Sequence, residues 1–210
     1  RLIVKADNDG DICFYTLAPA EMIVDNNGVT DTGVTAIANQ RTDTRNTSSS
    51  LLDDLTVAAQ NTTVTYDRDD WEHWIDADGD CQDTRAEVLI RDSSAPVTFT
   101  SSSNCTVKTG QWLDPWTTLT FFVASDVDID HTVPLANAHR SGGWNFSATE
   151  KRNFANDLGN NDALRAMDDS TNSSKGSRGP ESWKPPAKDS WCDYATDWAS
   201  IKIRWGLTVN

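Results

Sequence analysis

The stretch Val127-Asp128-Ile129-Asp130-His131-Thr132-Val133-Pro134-Leu135 alternates apolar and polar residues and then breaks at a proline. Alternation with period two marks a half-buried strand. Successive side chains on a strand face opposite ways, so Asp130 and His131 converge on one site only if the strand ends or bulges near Asp130. Pro134 stands where such a break is expected. Asn172 follows 41 residues after His131, in Thr171-Asn172-Ser173-Ser174-Lys175-Gly176. An acid and an amide oxygen suit a hard divalent cation, and a neutral imidazole beside them can take a proton from water. That set of groups is expected to serve metal-assisted hydrolysis of a phosphodiester.

The length of 210 residues fits one domain of ordinary size with an appended arm. No apolar run is long enough to span a membrane. The polar, acidic start at Arg1 resembles that of a mature product after removal of a leader, and the expected location is secreted, either extracellular or periplasmic. Four cysteines at 13, 81, 105 and 192 include no CxxC pair, which disfavours structural zinc. Two disulfides in an oxidising compartment are expected, with four buried thiols as the competing reading. Three connectivities exist. Cys81–Cys105 is favoured, as a local clasp on a loop rich in Ser, Thr and Asp, leaving Cys13–Cys192 to tie the N-terminal arm to the C-terminal helix.

A net charge of −14 argues at first against a nucleic-acid enzyme. Its distribution weakens that objection. Residues 1–129 hold 22 acids against 8 Lys/Arg, whereas residues 130–210 hold 10 of each. Arg140, Lys151, Arg152, Lys175, Arg178, Lys184 and Lys188 could line a local basic track in the second part.

Residues 1–50 read as a small β-rich arm and residues 51–210 as the main domain. Leu2-Ile3-Val4, Ile12 to Tyr15 and Met22-Ile23-Val24 suggest short strands between Asp/Asn/Gly turns, and Gln40 to Ser50 reads as a linker. Thr84-Arg85-Ala86-Glu87 and Ser147-Ala148-Thr149-Glu150 have the form of capping boxes. From Ser190 onward, Trp191, Tyr194, Ala195, Trp198 and Ile201 predict an amphipathic helix that Gly206 would end. Strands are expected at 97–99, 107–112 and 119–123.

Beyond these local readings, YDRDDWEHWID (66–76), TRAEVLIRDS (84–93), DIDHTVPLANAHRSG (128–142), FANDL (154–158), NSSKG (172–176) and PESWKPP (180–186) occur in this order. In that order and spacing the chain from about Leu51 resembles secreted HNH, or ββα-metal, nucleases of the DUF1524-like group. Its DH…N core is also similar to that of periplasmic endonuclease I-type enzymes and the HNH domain of CRISPR effector nucleases. The resemblance implies an α+β fold with a ββα-metal (His-Me finger) core, surrounding helices and short strands. It implies a general base at His131 and one Mg²⁺ or Mn²⁺ held by Asp130 and Asn172. Asn156 would steady the loop or the histidine, a role that Asn160 or Asn161 could also fill. Arg85 would contact phosphate and Glu87 would act behind it. Asn172 departs from the last histidine of the HNH name, as in the endonuclease I-type pattern. The implied substrate is DNA, with RNA also plausible, and Arg140, Lys175 and Arg178 are the candidate substrate contacts.

Two acidic clusters, Asp7/Asp9/Asp11 and Asp76/Asp78/Asp80, offer alternate carboxylates around a glycine turn and are candidate structural Ca²⁺ sites. Neither supplies the bidentate Glu of an EF-hand, and Asx turns account for them equally well. The rival reading from another class is a non-enzymatic, calcium-dependent glycan-binding module using exposed members of the set Trp71, Trp74, Trp112, Trp116, Trp144 and Trp183. Most are expected in the core. His139 is expected on a surface loop, and His73 is expected to pack between Trp71 and Trp74.

Overall fold

The computed structural model describes residues 51 and 53–210 with their side chains, and the backbone of two strands, Leu2–Ala6 (β1) and Ile12–Thr16 (β2). These two pair antiparallel, Leu2 opposite Thr16, as their apolar runs suggested. The third apolar patch at 22–24, the linker at 40–50 and the Asp7/Asp9/Asp11 cluster lie outside the described residues.

The helix Thr84–Asp92 (α1) starts at the residue expected to cap it, so the cap lies one residue earlier. Asp83 accepts from the Ala86 N–H at 2.8 Å and is the N-cap. The box expected from Thr84 and Glu87 does not form, because the Thr84 hydroxyl is engaged by Ile75 O and Asn156 Oδ1. A carboxylate at the cap also meets the positive end of the helix dipole. Thr98–Phe99 (β3), Val107–Leu113 (β4) and Thr120–Val123 (β5) then form an antiparallel meander in that order.

Val127–His131 (β6) pairs antiparallel with Leu164–Asp168 (β7), from Val127 opposite Asp168 to His131 opposite Leu164. The helices Leu135–Arg140 (α2) and Ala148–Ala155 (α3) fill the excursion between them. Ser147 and Glu150 make the reciprocal capping box that their spacing suggested. Asp169–Lys175 (α4) follows β7 directly and packs on both strands of the ribbon. Trp191–Arg204 (α5) closes the chain and stops at Gly206, whose φ of +60° favours glycine. β2 lies beside α5. The fold is thus a mixture of helix and antiparallel strand, α+β.

Opposite residues of an antiparallel pair share a face, and this divides the core in two. Val127, Ile129, Leu164 and Ala166 join Val88, Leu89, Val107 and Trp112 on one side of the ribbon. Met167 joins Trp71, Trp116, Tyr194, Trp198 and Ile201 on the other. Trp71, Trp112, Trp116 and Trp183 are core residues, whereas Trp144 is 40% exposed. His139 is not the surface residue expected. It lies buried in α2, edge-on to Tyr66 and Trp71, because α2 turns that face inward.

Lys202 on α5 is buried and, among the described residues, has no carboxylate partner. Its ammonium donates to Asn137 Oδ1 (2.8 Å), Ser141 Oγ (2.5 Å) and Thr208 O (2.9 Å), tying α2 to the C-terminal segment. Burial lowers its pKa to about 7, against a partial rise from Glu181 and a further lowering by Arg140. An unfolded lysine keeps its proton to about pH 10.4. Between those values the unfolded state binds the extra proton, so folding stability should climb as pH rises from about 7 to 10. Urea denaturation across that range should show the climb in the natural protein and a flatter profile in Lys202→Met. Parallel profiles would mean that Lys202 does not titrate in the fold.

Candidate active site

The β6–β7 register carries no bulge, and β6 runs straight through Asp130 to His131. The condition for their convergence is therefore not met: Asp128 and Asp130 face α4, while His131 shares the opposite face with Val127 and Ile129. This corrects the expectation of a single Asp130–His131 site on one face. Pro134 acts three residues later, where the chain turns into α2.

Asp130 is 3% exposed, and both of its oxygens accept from the Lys175 ammonium, at 2.8 and 2.7 Å. The same ammonium donates to His131 O at 2.8 Å, and Lys175 is completely buried. Burial pushes the carboxyl up and the ammonium down, each opposed chiefly by the other. Lys175 is therefore not the substrate contact expected of it; it bolts α4 to β6.

Asn172, one turn earlier on α4, donates through Nδ2 to Asp128 Oδ2 at 3.1 Å. Asp130 and Asn172 thus have separate partners and are not brought together as a ligand pair. As a test of fit, the expected Asp130 site fails: its charge is already matched by an ammonium and its oxygens are buried. Asp128 and Asn172 are both half-buried. They offer a carboxylate and an amide oxygen, the donor types a hard cation takes. Asp128 is the residue the sequence reading passed over, although its alternation with Asp130 placed it on the same face.

The His131 ring is held from two sides. A carbonyl can only accept, so the 2.9 Å contact with Ala155 O fixes Nε2 as the protonated nitrogen. Nδ1 keeps its lone pair, reaches the surface and has no partner among the described residues. Trp74 lies over the ring, with centroids 5.7 Å apart and planes inclined by 34°. Burial lowers the His131 pKa to about 3; the Ala155 contact opposes this, and the charges of Arg68 and Lys175 add to it.

Trp74 has a φ of +59°, a left-handed conformation that costs a bulky residue about 1–3 kcal/mol. Asn156 clamps the backbone on either side of Trp74: Nδ2 donates to Glu72 O at 2.7 Å and Oδ1 accepts from Ile75 N at 3.3 Å. Asn156 therefore steadies the loop over His131. Asn160 caps its own turn by accepting from Asp162 N, and Asn161 gives its carbonyl to Arg91.

Beside the ribbon lies a cleft of about 280 Å³ lined by Tyr66, Arg68, Pro134–Ala136, Asn172, Gly176 and Ser177. The expected cations are used elsewhere. Arg85 donates to Ala124 O and Val127 O at 2.9 and 2.8 Å, pinning the start of β6. Arg140 holds Gln60 and Ser177 O, and Arg178 holds the carbonyls of Lys175 and Ser174. Glu87 faces Asp76, Asp78 and Asp80, and burial followed by their charges raises its pKa.

Those three aspartates bring carboxylate oxygens within 4.8 Å of one another on an exposed turn, where Asp76 also caps Gly79 and Cys81. Cys81–Cys105 is a disulfide, as favoured from the sequence. Cys192 is disulfide-bonded as well, and the side chain of its expected partner, Cys13, lies outside the described residues.

Removing one partner of a buried ion pair strands the other, at a cost of about 3–5 kcal/mol. Lys175→Met should lose about that much in urea denaturation, and Asp130→Leu combined with Lys175→Met should recover most of it. A single variant as stable as the natural protein would show that the lock is not formed in solution.

Among the described residues no helix is long and apolar enough to cross a membrane. No family model matches the chain, and no solved structure matches it. A protein of Arthroderma benhamiae, "Uncharacterized secreted protein", is 42% identical over 164 residues, covering 78% of each chain. The protein is secreted, and it belongs to the same family as that secreted protein.

Proposed function

We propose that the protein is a secreted metal-dependent endonuclease of the HNH type, with low sequence specificity, that hydrolyses phosphodiester bonds of DNA and also of RNA. One observation carries this reading: a buried imidazole locked as its Nε2–H tautomer, with a free Nδ1 lone pair, on which the charge of the cleft residue Arg68 bears. The order β6–β7–α4 supports it, being the strand–strand–helix arrangement the resemblance implies, with His131 on the first strand and Asn172 on the helix. The glycan-binding reading draws less support, since four of its six tryptophans are core residues.

In this mechanism the Nδ1 of His131 takes a proton from water as the oxygen attacks phosphorus. The bond to the 3′ oxygen breaks, and that oxygen takes a proton from solvent, leaving a 5′-phosphate and a 3′-hydroxyl. The Ala155 carbonyl favours the imidazolium as it forms, by accepting from the opposite ring nitrogen. Asp128 and Asn172, across β6 from the imidazole, would hold Mg²⁺ or Mn²⁺, which when bound would supply Lewis-acid stabilisation to the phosphate backbone of the bound chain. Ca²⁺ on Asp76, Asp78 and Asp80 would have a structural part only.

DNA embedded in a gel should clear around the protein band with Mg²⁺ or Mn²⁺ and stay intact with EDTA. His131→Ala should lower the rate by at least ~10²-fold while leaving the circular dichroism unchanged. The natural protein's rate should stay level from pH 8 to about 5, because His131 remains neutral there. An imidazole of ordinary pKa would lose about 30-fold of its neutral form by pH 5. Near-natural cleavage by His131→Ala would sink the assignment.

The cation site has its own test. Asp128→Asn should raise the Mg²⁺ concentration needed for half-maximal cleavage by about tenfold or more, as expected on loss of the one charged ligand. Asp130→Asn should act mainly on stability. A shifted metal curve in a folded Asp130→Asn protein, with Asp128→Asn unchanged, would return the ligand role to Asp130.

A further inference from the structure

Arg68 is the sole Lys/Arg from residue 46 to residue 84, a span with ten acids. In such a segment a cation would be expected to spend its charge on a neighbouring carboxylate. Arg68 does not: among the described residues it makes no ion pair. Its guanidinium instead contacts two neutral groups, His73 Nε2 at 3.3 Å and the Tyr66 hydroxyl. His73 is oriented for this, because its Nδ1–H donates to Trp71 O at 2.9 Å and leaves Nε2 as the acceptor. The side chain is exposed, lines the same cleft as Asn172, and stands close enough to His131 for its charge to act on the imidazole.

We infer that Arg68, set by Tyr66 and His73, is the residue that receives the anionic backbone of the substrate in this cleft. The ligand class is a phosphodiester chain. A guanidinium has five N–H donors in a planar fork, and these neutral contacts leave enough of them for a bidentate grip on a phosphate. Arg140 and Arg178 are tied to Gln60 and to backbone carbonyls, and Lys175 to Asp130, whereas Arg68 is the Lys/Arg side chain that lines the cleft itself. For the reaction this rests on the endonuclease reading, but the binding itself does not.

The test measures binding apart from cleavage. A fluorescein-labelled single-stranded DNA 12-mer is titrated by anisotropy in EDTA against the natural protein, Arg68→Gln, Arg68→Lys and Lys108→Gln. Lys108 is an exposed cation on β4 away from the cleft, so its variant carries the same change in net charge. Arg68→Gln should weaken binding about tenfold and reduce the salt slope by about 0.7, the value for one lost contact to a single strand. Arg68→Lys should recover the slope but only part of the affinity, since it keeps the charge and loses the fork. Lys108→Gln should bind as the natural protein does.

Equal binding by Arg68→Gln, equal weakening in Lys108→Gln, or no binding by the natural protein would each overturn the inference. If the natural protein binds through Arg68 yet never cleaves with Mg²⁺ or Mn²⁺, the inference stands and the endonuclease reading falls. If it cleaves and Arg68→Gln cleaves with unchanged KM, the reading stands and the inference falls.

Discussion

The Lys175 ammonium, buried between the two oxygens of Asp130 and the carbonyl of His131, sets where everything else in the site lies. Each charge is expensive to bury, and an apolar pair of equal volume would often be as stable or more so. What the pair contributes is register. Nζ finds three oxygens only when α4 docks on β6 at one height, and that height puts Asn172 beside Asp128. A leucine and a methionine would tolerate sliding by part of a turn. We read the ion pair as a device for position, with its stability cost offset by the two cores on either side of the ribbon.

The second constraint is the way a strand distributes neighbours. Because β6 stays regular to its end, the imidazole and the acids are sorted onto opposite faces, and each face draws on different parts of the chain. The α4 face needs only one helix. The His131 face needs three distant pieces: the Ala155 carbonyl at the end of α3, the Trp74 ring, and Asn156 to hold the Trp74 backbone in a conformation that it would otherwise leave. The strain at Trp74 is thus sustained by hydrogen bonds to Glu72 and Ile75, before and after it in the chain, on the side of the ribbon where proton transfer is proposed.

This division explains which parts were legible in the sequence. The Ser147 capping box, the apolar stripe of α5 and the Cys81–Cys105 clasp are set by contacts within a few turns or one loop, and their residue spacing displays them; the strand at Val127–His131 shows in its own alternation although its partner strand is far along the chain. The Thr84 cap was misplaced by one residue because a contact 72 positions away, with Asn156, competes for its hydroxyl. Lys175 was misread for a related reason. In NSSKG a lysine before glycine looks solvated, and nothing local says that the helix will press it onto Asp130. His139 likewise looked like a loop residue until α2 turned it toward Tyr66 and Trp71. The coarse fold class was readable from pattern; the partners of charged side chains were not, because they depend on packing between elements far apart in the chain.

Net charge illustrates the limit of composition as an argument. At −14 the protein as a whole repels a polyanion, and screening with a Debye length of about 8 Å at physiological salt confines that repulsion to short range. What then matters is whether a cation within that distance of the cleft is free of local acids. Most cations here are spent on architecture: Arg85 on β6, Arg178 on the last carbonyls of α4, Arg140 on Gln60 and the Ser177 carbonyl, Arg165 on Asp162 and Asp197. Arg68 escapes because Asp67 turns its own carboxylate to the Asp69 N–H, and because His73 and Tyr66 offer the guanidinium neutral acceptors instead. In an acidic chain, a cation held by neutral groups is more informative than any count of charges, since the fold has kept it from the counter-ions that surround it.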